Sequence, residues 1–280
     1  MRATFVLVIL GLLLMPLGCA APVGGISTSA AKGPTGLRSP AATPAPDASG
    51  APRPTSRPAV PDWAAPYQKK LVVGVITKEP AVALTIDDVG AQEMKSLVDA
   101  LVANDLHATL LCSGSQMTTA AAAYAAANGI ELANHSWNHT SIGWYRPQAA
   151  NEQIMNTARL LKAGSGEWPL WYRAPFQLYQ SQGMRAVAGA GMLAAGVSND
   201  PLDYRGNTGA KLVSHVSRRL KPGQIILLHH YPQTIATFPA LATELRRRGY
   251  RTMTLSELAQ TGDPATSNWQ LEPFARFFGH

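Results

Sequence analysis

Two short stretches of this chain collect residues whose types and spacing suit chemistry. Residues 81–90 read Ala-Val-Ala-Leu-Thr-Ile-Asp-Asp-Val-Gly, an apolar run that ends in the adjacent carboxylates Asp87 and Asp88. Residues 134–139 read Asn-His-Ser-Trp-Asn-His, which sets His135 and His139 four apart. On a helical turn that spacing puts both imidazoles on one side, where they can converge on one ion. A carboxylate from the first stretch would complete a His-His-Asp set with positions open for water and substrate. Such a set suits a catalytic divalent ion, with zinc the first expectation. Neither stretch is decisive alone, because an Asp-Asp turn can be a solvated cap and His pairs at this spacing are common on surfaces.

The elements that must position these groups can also be read. An apolar run rich in Val and Ile reads as a strand buried on both faces, the kind found in parallel sheets. Consecutive strand side chains face opposite ways, so Asp87 and Asp88 can share a site only where the strand ends. The Val89-Gly90 step would supply that turn. Further apolar runs at 107–111, 130–134, 170–173, 193–197, 224–229 and 251–253 alternate with helical patterns at 92–104, 116–128, 148–163, 207–220 and 235–248. Thr254 and Glu257 form a capping box that opens a last short helix, and residues 71–76 add an outer strand. The alternation predicts an α/β fold, a distorted (β/α) barrel with about seven parallel strands. Asp87, Asp88, His135, Arg173, Asp200, Asp203 and His229 all fall at the carboxyl ends of these runs, the rim where a barrel builds its site.

The ends of the chain are of another kind. Residues 1–19 hold one Arg, an uncharged apolar run and small residues leading into Cys19. That is the layout of a lipoprotein-type export signal with acylation at Cys19, its apolar core short for a membrane-spanning helix. Residues 20–62 are almost wholly Ala, Pro, Gly, Ser and Thr and read as a semi-extended tether. The folded domain is expected over 63–262, followed by a tail over 263–280 that contains Trp, Phe and Arg. With Cys19 lipidated, Cys112 has no partner and reads as a buried small hydrophobe. The net charge of +7 is not arranged as a basic stripe interleaved with aromatics, which argues against a nucleic-acid partner. An anionic envelope surface is the more natural neighbour. The chain is therefore expected outside the cytoplasmic membrane, lipid-anchored or secreted, and to act as a monomer.

Five stretches carry a resemblance to a known family. They are Thr-Ile-Asp-Asp-Val-Gly at 85–90, His-Ser-Trp-Asn-His at 135–139, Arg-Ala-Pro-Phe at 173–176, Asp-Pro-Leu-Asp-Tyr at 200–204 and Leu-Leu-His at 227–229. Their order and approximate spacing resemble the motifs of the polysaccharide deacetylases, the NodB-homology domains of carbohydrate esterase family four. The resemblance covers roughly residues 70 to 260. It implies a distorted (β/α) barrel that removes N-acetyl, or sometimes O-acetyl, groups from glycans with a divalent metal, zinc first and Co, Mn or Ni as substitutes. It assigns Asp88, His135 and His139 to the metal and Asp87 to the general base, with Arg173 orienting and balancing Asp87. It makes His229 the general acid, held by Asp203, in preference to His230. The backbone N–H of Phe176 would bind the oxyanion, and Tyr204 and Leu227 would wall the acetyl pocket.

The departures from the family pattern are specific. Val89-Gly90, Phe176, Gln177, Val197, Tyr204 and His230 replace a common Gly-Pro, Tyr, Gly, Trp, Trp and Asp. None removes a metal ligand, the base or the acid. They shape the groove, leave fewer stacking platforms for sugar rings, and put the substrate in question. Three readings follow: an N-deacetylase of N-acetylglucosamine-type polysaccharide (peptidoglycan or chitin-like), an O-acetyl esterase, or a carbohydrate-binding lipoprotein on a degenerate scaffold. His107 and His215 are expected to be structural or surface residues.

Overall fold

The computed structural model describes residues 59–267. The expected signal with Cys19, the tether up to residue 58 and the tail beyond Ser267 lie outside the described residues. The chain enters through a short 3-10 helix, Asp62–Tyr67, and then alternates strands and helices. In order these are β1 (Leu71–Ile76), β2 (Ala81–Val89), α1 (Ala91–Ala103), β3 (Thr109–Cys112), α2 (Thr119–Ala127) and β4 (Glu131–Asn134). There follow α3 (Pro147–Ser165), β5 (Trp171–Tyr172), α4 (Ser181–Gly189), β6 (Leu193–Ala195), α5 (Ala210–Arg219) and β7 (Ile225–His229). The chain closes with α6 (Pro232–Ile235), α7 (Phe238–Arg247), β8 (Arg251–Met253), α8 (Leu255–Ala259) and β9 (Asp263–Ser267).

The strands form one sheet in the order β7-β2-β3-β4-β5-β6-β1-β9, with β8 pairing the start of β2 on the edge opposite β7. Every pairing is parallel except that of β9 with β1. The segment after β6 returns to β7: Asn199 bridges Ile226, and Leu227 N–H donates to Asn199 O at 3.0 Å. That contact curls the sheet into the distorted barrel that strand-helix alternation predicts.

Period-two alternation divides the core in two. Val82, Leu84, Ile86, Leu110, Leu132, Ile226 and Leu228 face outward and pack with Leu97, Leu101, Ala122, Leu212 and Leu241 of the helices. The intervening Ala81, Ala83, Leu111, Ala133, Leu193, Ala195 and Ile225 face the barrel interior with Trp171. Ala83, Ala133 and Ala195 are small, and the space they leave is where buried polar side chains enter.

Sequence and structure differ in three places. Beside the seven expected runs and the expected outer strand, now β1, the sheet gains the antiparallel edge strand β9. β9 carries the folded part past the boundary expected at Gly262, and Val60 already packs against the inner core inside the expected tether. The helix α4 was not anticipated; its Gly-containing segment has a short apolar stripe, Met184 and Val187, on one buried side.

The end of the barrel opposite the rim is tied by a polar network. Glu131 accepts from Thr109 Oγ1 at 2.5 Å, from Ser256 N–H at 3.3 Å and from the Ser256 hydroxyl. Trp171 Nε1 donates to Ser256 Oγ at 3.0 Å, and the expected Thr254–Glu257 capping box is formed. Burial pushes the Glu131 carboxyl up, against the pull of the donors it accepts from. Replacing Glu131 with Ala strands these donors, so Glu131→Ala is expected to lower the unfolding free energy by about 1–3 kcal/mol in a urea titration. An unchanged midpoint would show that the network does not bear on stability.

Candidate active site

On the inner face of β2, Ala83, Thr85 and Asp87 form one row. Arg173, directly after β5, reaches this row from inside the barrel and is fully buried. Its Nη1 donates to Asp87 Oδ1 at 2.6 Å and to Thr85 Oγ1 at 2.8 Å. Nε donates to Ala195 O at 3.2 Å and Nη2 to Gly196 O at 3.0 Å. The second Asp87 oxygen, Oδ2, lies 3.8 Å from His135 Nε2.

Strand alternation should send Asp88 to the outer face, yet it shares the site. The expected cause was a turn at Val89-Gly90, but β2 continues through Val89. Asp88 itself adopts a left-handed backbone, φ 65°, and the register with β3 slips between Ile86 and Val89. A bulge inside the strand therefore turns the second carboxylate back to the rim.

The two histidines also converge by a route other than the expected one. Residues 135–140 form a loop after β4, not a helical turn, with Ser136 at φ 67° and His139 at φ 57°. Neighbouring side chains hold this loop. Asn134 Oδ1 accepts from Ser136 N–H at 2.9 Å, Gln153 Oε1 from Trp137 N–H at 3.1 Å and Asn138 N–H at 3.2 Å, and Thr157 Oγ1 donates to Ser136 O at 2.9 Å.

Asp88, His135 and His139 place one ligand atom each within 4.8 Å of one another. Asp88 Oδ1 lies 3.2 Å from His135 Nε2 and 2.8 Å from His139 Nε2, yet it is buried without a well-formed hydrogen bond. His135 Nδ1 is 2.9 Å from Arg173 O, an acceptor only, so Nδ1 carries a proton and Nε2 is the ring atom turned toward Asp88. Ligand atoms gathered in this way make the fit a divalent ion requires.

Across the rim, His229 ends β7 beside Asp87 of β2. Its Nδ1 lies 2.8 Å from Asp203 Oδ1, and its backbone N–H donates to Asp203 Oδ2 at 2.7 Å. Asp203 is buried and also accepts from Tyr204 N–H at 2.9 Å and Thr234 Oγ1 at 3.0 Å. Burial pulls the His229 imidazole down, but Asp203, with Asp87 and Asp88 behind it, raises it overall. Tyr204 meets the His229 ring edge-on at 5.4 Å, and Tyr231 stacks on it at 5.6 Å and 21°. His230 places Nδ1 3.4 Å from Asp87 O, so it borders the site without the Asp203 contact.

The remaining expected residues fall as follows. Phe176 stands in a tight turn with φ 58° and ψ 16°, its exposed ring edge-on to His139 at 4.7 Å. Leu227 is buried on the inner face of β7, two residues before His229. Asp200 accepts from Leu202 N–H at 2.8 Å and shapes the loop rather than touching His229 directly; burial pushes its carboxyl up. Cys112 is buried and free, and His107 is exposed beside Glu257. The loss of Trp positions has not emptied the groove of aromatics, since Phe176, Tyr204 and Tyr231 surround the two histidine groups. Thr85, Gln153, Thr157, Thr234 and Tyr231 were missed; the first four act through contacts far in sequence, for which single-chain spacing gives no signal, whereas Tyr231 stacks on His229 two residues away.

One rim of an α/β barrel thus holds the Asp88–His135–His139 cluster beside the Arg173–Asp87 pair and across from the Asp203–His229 pair. Residues 74–195 match the family model described as polysaccharide deacetylase. It is 28% identical over 148 residues to a chitooligosaccharide deacetylase of Bradyrhizobium sp. (strain ANU 289), covering 47% of this chain and 68% of that protein. It is 30% identical over 139 residues to a peptidoglycan-N-acetylglucosamine deacetylase of Bacillus cereus, covering 46% of this chain and 63% of that one. Among solved structures, a CE4 family pseudoenzyme from Bacillus anthracis superposes with a TM-score of 0.63 at 20% identity, over 68% of this chain and 69% of that one. The last likeness shows the fold.

The loop supports yield a prediction about the ligand set. Gln153→Ala frees the backbone N–H groups of Trp137 and Asn138 and leaves the ligands themselves intact. Zinc affinity, read by competition with a chromophoric chelator, is expected to fall about 10–100-fold with the circular dichroism unchanged. Undiminished affinity would mean that the loop holds its shape without α3.

Proposed function

We propose that this chain is a divalent-metal-dependent deacetylase acting on N-acetylglucosamine-type polysaccharide, peptidoglycan or a chitin-like polymer, outside the cytoplasmic membrane. One observation carries the reading: Asp88, His135 and His139 converge beside an Arg173-held Asp87 and across from an Asp203-held His229. The named activities of the chitooligosaccharide and peptidoglycan relatives support the substrate class.

Held by Asp88, His135 and His139, a divalent ion supplies Lewis-acid polarisation of the acetyl carbonyl and acidifies water. The rest of the chemistry belongs to the chain. Arg173 occupies Asp87 Oδ1 and fixes the carboxylate, so that Oδ2 is the oxygen that accepts the proton of the attacking water. The Phe176 N–H supports the charge that develops on the carbonyl oxygen. Asp203 holds His229 by Nδ1 and favours its cationic form, which leaves Nε2 to protonate the departing amine. Tyr204 and Leu227 bound the space for the acetyl methyl.

The primary test is acetate release from N-acetylglucosamine oligomers and peptidoglycan, first metal-stripped and then reloaded with zinc or cobalt. Release that returns with metal supports the proposal. Binding of glycan without release at any metal loading would instead support a binding protein, and release confined to acetoxy substrates an esterase. Asp87→Asn is expected to lower turnover about 10²–10⁴-fold with the metal still bound. Full activity in that variant would remove Asp87 from the role of base.

The acid has its own signature. The imidazolium is the working form of His229, and Asp203 raises its pKa, so activity is present below that pKa and lost as pH rises through it. Asp203→Asn is therefore expected to move the alkaline limb of kcat/KM to lower pH. An unmoved limb would assign the acid elsewhere.

A further inference from the structure

The end of the barrel opposite the rim carries a feature that the catalytic reading does not use. From Arg205 to Arg251 the chain holds nine Lys and Arg residues and a single acid, Glu244. Helices that return between parallel strands end at the bottom of the barrel, and the cations gather there. Arg218 and Arg219 close α5, Lys221 follows, the Arg246-Arg247-Arg248 run closes α7, and Arg251 opens β8; all seven are exposed. The two helix ends are contiguous, because Arg248 Nη1 donates to Ser217 O at 3.1 Å. Arg251 pairs in register with Ala81 at the start of β2, far along the strand from Asp87.

The local acids do not balance this face. Glu244 bonds Arg247 at 2.7 Å and Arg248 at 2.6 Å, and Glu79 pairs with Arg251 at 3.1 Å. Cations in a last helical turn complement the helix dipole, but one per helix suffices for that. Six positions on two helices and their exits exceed it.

The chain also joins the barrel at this end. Tyr67 in the entering 3-10 helix donates to Ala259 O and Gly262 O, both at 2.7 Å, and its ring meets Trp171 at the start of β5. The first described residues therefore lie on the cationic side, and the reactive rim points the other way.

We propose that the Arg218–Arg219–Lys221 and Arg246–Arg248 end of the barrel docks on an anionic lipid surface, with the rim directed away from it. Charge complementarity selects the partner: each Lys or Arg near an anionic bilayer strengthens binding about fivefold, and the effect is screened by salt. The opposition of the two ends selects a lipid surface over a soluble polyanion. Only a flat partner gains from a contact face that leaves the site open on the far side. This inference does not depend on the deacetylase reading.

The test is co-sedimentation of the full chain with phosphatidylglycerol-containing vesicles and with neutral phosphatidylcholine vesicles, in low and high salt. The excess binding to anionic vesicles is the readout, because it subtracts any contribution of the apolar amino terminus. That excess is expected to be salt-sensitive and to fall at least tenfold in Arg218→Glu/Arg219→Glu/Lys221→Glu, with an unchanged melting temperature. Lys95→Glu/Arg146→Glu/Lys211→Glu, toward the amino-terminal ends of α1, α3 and α5 and so away from this face, serves as a charge-matched control and is expected to keep most of it. Equal binding to both vesicle types, or equal loss in the control, would overturn the proposal. So would capture by soluble polyphosphate with no excess on anionic vesicles, which would assign the face to a polyanion.

Discussion

A fully buried arginine inside the barrel, Arg173, is the interaction on which the rest of this structure depends. A guanidinium taken out of water is tolerated only when its donors are met, and here four groups meet them: Asp87, Thr85, Ala195 O and Gly196 O. These partners come from β2 and from the end of β6, while Arg173 itself follows β5. The ion pair thus pins strands on two sides of the barrel to one another at the level of the rim. Lysine could not replace it, since one ammonium cannot reach four acceptors in a plane. The interior alanines at 83, 133 and 195 are part of the same arrangement, because larger side chains there would fill the space that Arg173 occupies.

A second property follows from the need to aim several side chains at one point. Among the described residues, eight non-glycine positions have positive φ, and six belong to the rim: Asp88, Ser136, His139, Phe176, Gln177 and Leu202. Each such backbone costs on the order of 1 kcal/mol or more and persists only where the surroundings fix it. The surroundings do so here. Ser136 is held through Asn134 and Thr157, and the loop bearing Leu202 through Asp200. Strain sits where the chain must depart from strand and helix geometry to bring the reactive groups together.

This explains what could be read from the sequence and what could not. Short apolar runs leading into Asp87, His135, Arg173 and His229, alternating with helical patterns, are local features, and they gave the barrel and the membership of its rim. The Thr254–Glu257 cap is local too, and it formed as read. The manner of convergence was not local. A helical turn was expected for His135 and His139 from their spacing alone, but Gln153 and Thr157 of a later helix set the loop. Likewise the position of Asp88 depends on a register slip against β3 that no stretch of β2 announces. β9 escaped notice because Asp-Pro-Ala-Thr-Ser has neither alternation nor apolar content; its pairing with β1 supplies what its side chains do not.

The adjacent carboxylates show how little backbone change separates two roles. Asp87 and Asp88 are chemically alike and one peptide bond apart. Asp87 keeps the extended strand path, so its side chain enters the barrel and meets a cation supplied by the chain, Arg173. Asp88 takes a left-handed turn, so its side chain stays on the rim and faces Nε2 of His135 and of His139. One carboxylate is completed by the protein and keeps an oxygen facing its neighbour; the other is completed only by something the chain does not contain. A single residue at φ 65° therefore converts a repeated side chain into a pair with divided work. The barrel's contribution is to hold that distinction rigidly: the Arg173 side chain anchors Asp87, and its backbone carbonyl fixes the ring of His135.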